Sequence, residues 1–89
     1  MLFRSFDLIF IDAMKTEYAG YLEHALRLLS PHGVIAVDNT LYAGMVLHPD
    51  AADPSAAALQ KFNEAVKARK DTICVMLPIR DGVTLIKKL

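Results

Sequence analysis

Three oxygen-bearing side chains, Asp12, Asp38 and Asn39, stand directly after two short apolar runs. The first run is Asp7-Leu8-Ile9-Phe10-Ile11, which stops at Asp12; the second is Val34-Ile35-Ala36-Val37, which stops at Asp38-Asn39. About one helix-length of sequence separates them. In an open parallel sheet that order brings neighbouring strand ends to one rim, where such sheets bind ligands. Two carboxylates and a carboxamide there form an oxygen set suited to a hard cation such as Mg²⁺, which takes few protein ligands and keeps water or substrate in its other positions. Strand-terminal Asp and Asn also cap turns through their own backbone, so the pattern alone leaves both roles open.

Hydrophobic period defines the elements that must hold these groups. Residues 7–11 form a continuous apolar run of strand length, which suits a strand buried on both faces. Over 17–29 the period changes: Tyr18, Tyr21, Leu22, Ala25, Leu28 and Leu29 recur at spacings of three and four, as on an amphipathic helix. Thr16 is placed to cap that helix, Glu17 suits its positive start, and Ser30-Pro31-His32-Gly33 reads as the turn that ends it. Residues 34–37 read as a second buried strand. Gly44, Pro49 and Pro54 punctuate an aperiodic stretch over 40–54, a loop long enough to be functional or disordered. A second helix is expected at 55–70, with Ser55 as cap and Ala58, Leu59, Phe62, Ala65, Val66 and Arg69 along one side. A third strand follows at 72–77, then a turn at Pro78-Ile79-Arg80-Asp81-Gly82 marked by Asp81-Gly82, then a last strand at 83–88. The order is β-α-β-loop-α-β-β.

With 89 residues the chain holds one small domain, and 54% hydrophobic residues give it ample material for a core. That fraction is high for so short a chain, which hides a limited share of its surface; some apolar surface is expected to face another segment or subunit. Ten basic and ten acidic residues cancel, so no basic field draws the chain to nucleic acid or an anionic membrane. No apolar stretch approaches the roughly 20 residues of a membrane helix, and Met1-Leu2-Phe3-Arg4-Ser5 has no signal-peptide character. The lone Cys74, inside an apolar run, reads as a buried small hydrophobe. A soluble, cytoplasmic protein is the expectation.

Three stretches, Phe6–Lys15, Gly33–Gly44 and Leu77–Thr84, resemble successive motifs of the cation-dependent O-methyltransferases, the family of the caffeoyl-CoA and catechol O-methyltransferases. Order and approximate spacing agree along the whole chain. The resemblance implies an α/β fold: the C-terminal half of a Rossmann-like class I methyltransferase, with three parallel strands plus an antiparallel C-terminal strand inserted beside the third. Members of the family are typically more than twice as long. Their N-terminal half carries the glycine-rich loop and the acidic residue for the cofactor ribose, whereas this sequence has four scattered glycines and no Gly-x-Gly. Residues 1–89 therefore read as a single partial methyltransferase domain without the N-terminal cofactor-binding half. Its first strand becomes an unprotected edge that invites pairing with another chain.

The resemblance further implies methyl transfer from S-adenosylmethionine to a small, catechol-like hydroxyl acceptor with a divalent cation, Mg²⁺ by preference. On it, Asp12, Asp38 and Asn39 are the metal ligands, and Lys15 is the base that takes the hydroxyl proton. Asp12 and Ala13 border the cofactor, while Asp12, Asn39 and Tyr42 border the acceptor. A lysine serves as base only if its pKa falls toward neutrality. Leu41-Tyr42, with Met45 and Val46, falls where relatives wall the acceptor pocket. Expected partners are the small-molecule acceptor, without nucleic acid or membrane, and either a second copy or the missing N-terminal half. The chain alone is expected to be weakly active or inactive. Two other readings stand beside this one: a non-catalytic binding or assembly fragment of the same fold, and a phosphotransfer domain with Asp12 as acceptor, which lacks an acidic pair before the first strand. Tyr18 and Tyr21 read as core with polar tips, Asp81-Gly82 as turn chemistry, and His24, His32 and His48 lack metal-ligand spacing.

Overall fold

The computed structural model describes residues 6–41 and 54–89. Its elements are β1 (Phe6–Ile11), a 3₁₀ turn (Lys15–Glu17), α1 (Tyr18–Leu28), β2 (Leu29–Asp38), α2 (Pro54–Ala68), β3 (Thr72–Leu77) and β4 (Val83–Lys88). The four strands form one sheet in the order β1-β2-β4-β3. β1 and β2 are parallel, and β4 runs antiparallel to both of its neighbours. Three strands therefore share one direction with β4 inserted between the second and third, as the resemblance implies.

Register explains which face is core. Ile9 pairs with Ile35, Ile35 with Ile86 and Ile86 with Cys74, which gives one row across all four strands. This row and its neighbours Ile11 and Val37 meet Tyr18, Leu22, Ala25 and Leu26 of α1, and Leu59, Phe62 and Val66 of α2. Both helices lie on that one face. The alternate row, Phe10–Ala36–Leu85–Val75, points the other way. There Leu8 is 67% exposed and Phe10 60%, beside exposed Phe6, Ile73 and Val75. The expectation that the first strand is buried on both faces is thus overturned: among the described residues nothing covers the outer face. β1 is a sheet edge, as expected, and Cys74 is half-buried against the core rather than enclosed.

Local expectations failed where tertiary contacts prevail. Ser30–Gly33 does not form a turn outside the strand; β2 starts at Leu29 and carries these residues as a bulge. Phe6 pairs with Leu29 but Leu8 with Val34, so β2 advances further than β1 over the same span. The Ser30 hydroxyl donates to Asp7 Oδ1 at 2.7 Å. A Cβ on Gly33 would stand 2.8 Å from the Phe6 carbonyl oxygen, so only glycine fits that approach. Thr16 does not cap α1, because it lies inside the 3₁₀ turn and neither helix start has a side-chain cap. Tyr21 and Leu28 turn to solvent while Leu26 enters the core. α2 begins at Pro54, whose fixed φ suits a first helical position, with Ser55 inside it and Ala56 rather than Ala58 buried. It ends at Ala68, and the Arg69 guanidinium binds Glu23 and Asp71 outside the helix. Among the described residues no helix is long and apolar enough to cross a membrane.

The two faces predict opposite mutational costs. Ile35→Ala, at a position with 0% exposure, should destabilise the fold by about 2–5 kcal/mol. Leu8→Ala should cost less than about 0.5 kcal/mol in the chain alone. Urea titrations of both variants measure this; equal losses would mean that something covers the outer face.

Candidate active site

Because β1 and β2 are parallel with Ile11 beside Val37, Asp12 and Asp38 leave the sheet at adjacent points of one rim. Lys15, carried back over the rim by the 3₁₀ turn, bridges Asp12 to Asn39, the residue that follows Asp38. Its ammonium donates to Asn39 Oδ1 at 2.9 Å, to the Tyr18 hydroxyl at 2.9 Å and to the Ala13 carbonyl at 3.3 Å. Asp12 Oδ1 lies 3.6 Å away as its ion pair. Lys15 is largely enclosed, whereas the Asp12 side chain is 55% exposed.

Tyr18 supports the rim from below. It is wholly buried, its ring meets Phe62 of α2 edge-on at 5.5 Å, and its hydroxyl donates to the Asp38 carbonyl at 2.9 Å. The Asp38 carboxylate accepts the Asn39 backbone N–H at 2.8 Å through Oδ1. Asn39 itself adopts φ 60°, the left-handed region that Asn tolerates better than most residues. Its Nδ2 donates to Asp81 Oδ2 at 3.1 Å. Thr40 is buried behind it, with its hydroxyl accepting from Thr84 and its carbonyl from Asn63 of α2.

The predicted site residues therefore stand as follows. Asp12 and Asn39 share one ammonium. Asp38 reaches that cluster through its carbonyl and Tyr18, with one carboxylate oxygen turned onto its own chain. Ala13 presents its carbonyl to Lys15 and packs half-buried against the core. Tyr42, Met45, Val46 and His48 lie outside the described residues. Among the described residues no three His, Cys, Asp or Glu side chains converge as a metal cluster; the oxygen set here counts an asparagine. Sequence reasoning missed Tyr18 and Asp81 as parts of the site. Helical period marked Tyr18 as core, but nothing local announces where its hydroxyl ends.

Known proteins share this arrangement of elements. A family model described as "O-methyltransferase" matches residues 2–89. The chain belongs to the O-methyltransferase family. It is 42% identical over 86 residues to a probable caffeoyl-CoA O-methyltransferase of Dictyostelium discoideum, covering 96% of this chain and 37% of that protein. A caffeoyl-CoA O-methyltransferase of Zea mays is 37% identical, with 96% and 34% covered. Among solved structures, the SAH-bound methyltransferase PaMTH1 of Podospora anserina superposes with a TM-score of 0.87 at 35% identity, over 99% of this chain and 43% of its own. The SAH-bound O-methyltransferase of Bacillus cereus gives 0.84 at 29% identity, over 100% and 43%. The chain thus spans well under half the length of these relatives, and its Rossmann-like, partial methyltransferase fold is theirs.

Within this O-methyltransferase rim, burial pulls the Lys15 pKa down, but the Tyr18 hydroxyl and the Asp12 carboxylate more than offset it. The ammonium stands above its ordinary value of 10.5. This arrangement holds Lys15 charged. A raised folded pKa contributes stability that is complete below the unfolded value and is lost as pH rises through the folded one. Stability should therefore decline from about pH 10.4 upward, and the decline should be shallower in Lys15→Met. Thermal melts across pH 9–12 measure this, and identical slopes would count against the held charge.

Proposed function

We propose that this chain contributes the hydroxyl-acceptor half of an S-adenosylmethionine-dependent O-methyltransferase that uses a divalent cation. The observation that carries the reading is the convergence of Asp12 and Asn39 oxygens on one positive charge. A rim that already satisfies an ammonium with a carboxylate and a carboxamide oxygen has the donor chemistry for Mg²⁺. Asp12, Asp38 and Asn39 would hold the ion; bound there, it supplies positive charge that acidifies an acceptor hydroxyl. A vicinal diol such as a catechol fits best, because two adjacent oxygens can share one cation. Asp12 and Asn39 would also border the acceptor, with Tyr42 beside it and Ala13 toward the cofactor.

Lys15 is the proton acceptor in this reading. In the present arrangement it is charged and committed to Tyr18 and Asn39, so it must lose a proton before it can take one. A second positive charge at the rim favours its neutral form. Tyr18 then keeps the amine aimed at the rim. Methyl transfer also needs the methyl carbon held in line with the acceptor oxygen, and in this reading the cofactor would be held by a stretch that this chain does not span.

Calorimetric titration of the chain with Mg²⁺ tests the ligand set. Outer groups around a metal cost 10–100-fold in affinity when removed, so Asp12→Ala and Asp38→Ala should each cost at least about 100-fold. Unchanged binding in both variants would refute the set.

The uncovered outer face, with Leu8, Phe10, Ile73 and Val75 exposed, favours a companion reading. Large apolar side chains exposed side by side on one face are the kind of surface that marks an interaction site. Its occupant, we propose, is the part of the methyltransferase that the relatives carry and this chain does not span, in the same polypeptide or in trans. Sedimentation of the chain with that complementary stretch should show a one-to-one complex, lost in Leu8→Glu/Phe10→Glu. A complex that survives the double variant, or self-association that excludes the complement, would overturn this assignment. Labelled S-adenosylmethionine, Mg²⁺ and a catechol should give turnover with the complex, reduced about 10²–10⁴-fold in Lys15→Met.

A further inference from the structure

We infer that Asp81, in the turn between β3 and β4, is a positioning residue that fixes which end of the Asn39 carboxamide faces the site. A carboxamide has an acceptor end and a donor end. At Asn39 the two ends meet groups of opposite charge. Oδ1 accepts from the Lys15 ammonium at 2.9 Å, and Nδ2 donates to Asp81 Oδ2 at 3.1 Å. An ammonium only donates and an ionised carboxylate only accepts. Rotating the amide by half a turn would set NH₂ against NH₃⁺ and the carbonyl against the carboxylate, so both hydrogen bonds would become repulsions. Charge-assisted bonds are the stronger kind, and here two of them select the same orientation. Lys15 alone could not hold it once its proton or its position changes. Asp81 lies on the opposite side of the amide and is unaffected by such a change.

The turn delivers that carboxylate as a rigid part. Leu41 N donates to the Asp81 carbonyl at 2.6 Å and Thr40 N to the Gly82 carbonyl at 3.2 Å, so residues 81–82 are stitched to the chain just after Asn39. Gly82 N closes the turn onto the Ile79 carbonyl at 2.9 Å. Positive φ falls at Arg80 (52°) and Gly82 (87°), while Asp81 keeps a negative φ. The Asp81-Gly82 pair is therefore not the two-residue hairpin centre that its sequence suggests. A Cβ on Gly82 would stand 2.7 Å from Leu41 N; the turn and the segment after β2 touch with no room between them. The backbone contacts of the turn make no use of the side chain at position 81, whereas orienting Asn39 calls for a side-chain acceptor there.

The role of this orientation in cation binding rests on the proposed ligand set, but the orientation itself does not, and the experiment separates them. In the ¹⁵N-labelled chain without metal, the Asn39 side-chain NH₂ should be protected from solvent exchange. Asp81→Ala should abolish that protection, and Asp81→Asn, which keeps a carbonyl oxygen at the same reach, should restore it. Mg²⁺ affinity should fall about 10–100-fold in Asp81→Ala, the usual effect of removing a group that orients a metal ligand, and should recover in Asp81→Asn. Gly82→Ala, which keeps the carboxylate but displaces the turn, should reproduce the loss. Should Asp81→Ala fail to fold, Asp81→Asn and Gly82→Ala decide. A wild-type chain that binds no Mg²⁺ yet shows the protected amide, released in Asp81→Ala, would sink the ligand set and leave Asp81 in its role. An unprotected wild-type amide, or protection and affinity unchanged in folded Asp81→Ala, would overturn the inference.

Discussion

The Lys15 ammonium ties together three stretches that leave one another at the rim: the exit of β1, the first turn of α1 and the tip of β2. Ordering a lysine costs about 2 kcal/mol of side-chain freedom, and a single exposed ion pair returns about 0–1 kcal/mol. The 3.6 Å contact with Asp12 could not hold it alone. What holds it is three hydrogen bonds in a largely enclosed position. Tyr18 supplies the fixed point, because its ring is locked between the sheet and Phe62 and its hydroxyl also satisfies the Asp38 carbonyl. Site geometry is therefore an extension of core packing. The rim keeps its shape for the same reason that α1 and α2 stay on the sheet.

The same core is one-sided, and this shapes the site. Asp38 ends β2, an interior strand flanked by β1 and β4, Asn39 follows it, and both are half-buried. Asp12 follows β1, the edge, and is open to solvent. Of the two carboxylates at this rim, Asp12 is the one less protected from water, where electrostatic interactions are weakest. A layer over the outer face and a strand beside β1 would change that without moving a bond in this chain. The exposed apolar rows and the exposed carboxylate thus lie on the same open side of the sheet.

Strand ends were legible in the sequence because β-branched runs stop abruptly at aspartates, and a sheet leaves few places for such ends to go. Helix positions were legible from period. The outer face was not: Phe6, Leu8 and Phe10 are as apolar as Ile9 and Ile11, and a two-sided run says nothing about whether both sides find partners. The Ser30–Gly33 bulge was hidden because proline and glycine signal a turn, while the contact that keeps them in β2, Ser30 to Asp7, spans 23 residues. Tyr18 to Asp38 spans 20 and Asn39 to Asp81 spans 42. Site residues were found where they ended a local pattern, and missed where a distant partner gave them their role.

Strand order makes that longest link possible. β3 and β4 are consecutive in sequence, and the hairpin between them could have extended the sheet with β4 on the outside. Instead β4 enters between β2 and β3 and pairs Asp38 with Val83. The turn that precedes Val83 is thereby set against the residues that follow Asp38. Had the strands been exchanged, Asp81 would sit one strand further away, roughly 4.8 Å more distant, beyond reach of any side-chain hydrogen bond to Asn39. The antiparallel insertion is thus more than a way to close the sheet. It places an acidic turn against the tip of the second parallel strand, where the carboxamide of Asn39 needs an acceptor behind it to present its oxygen in front.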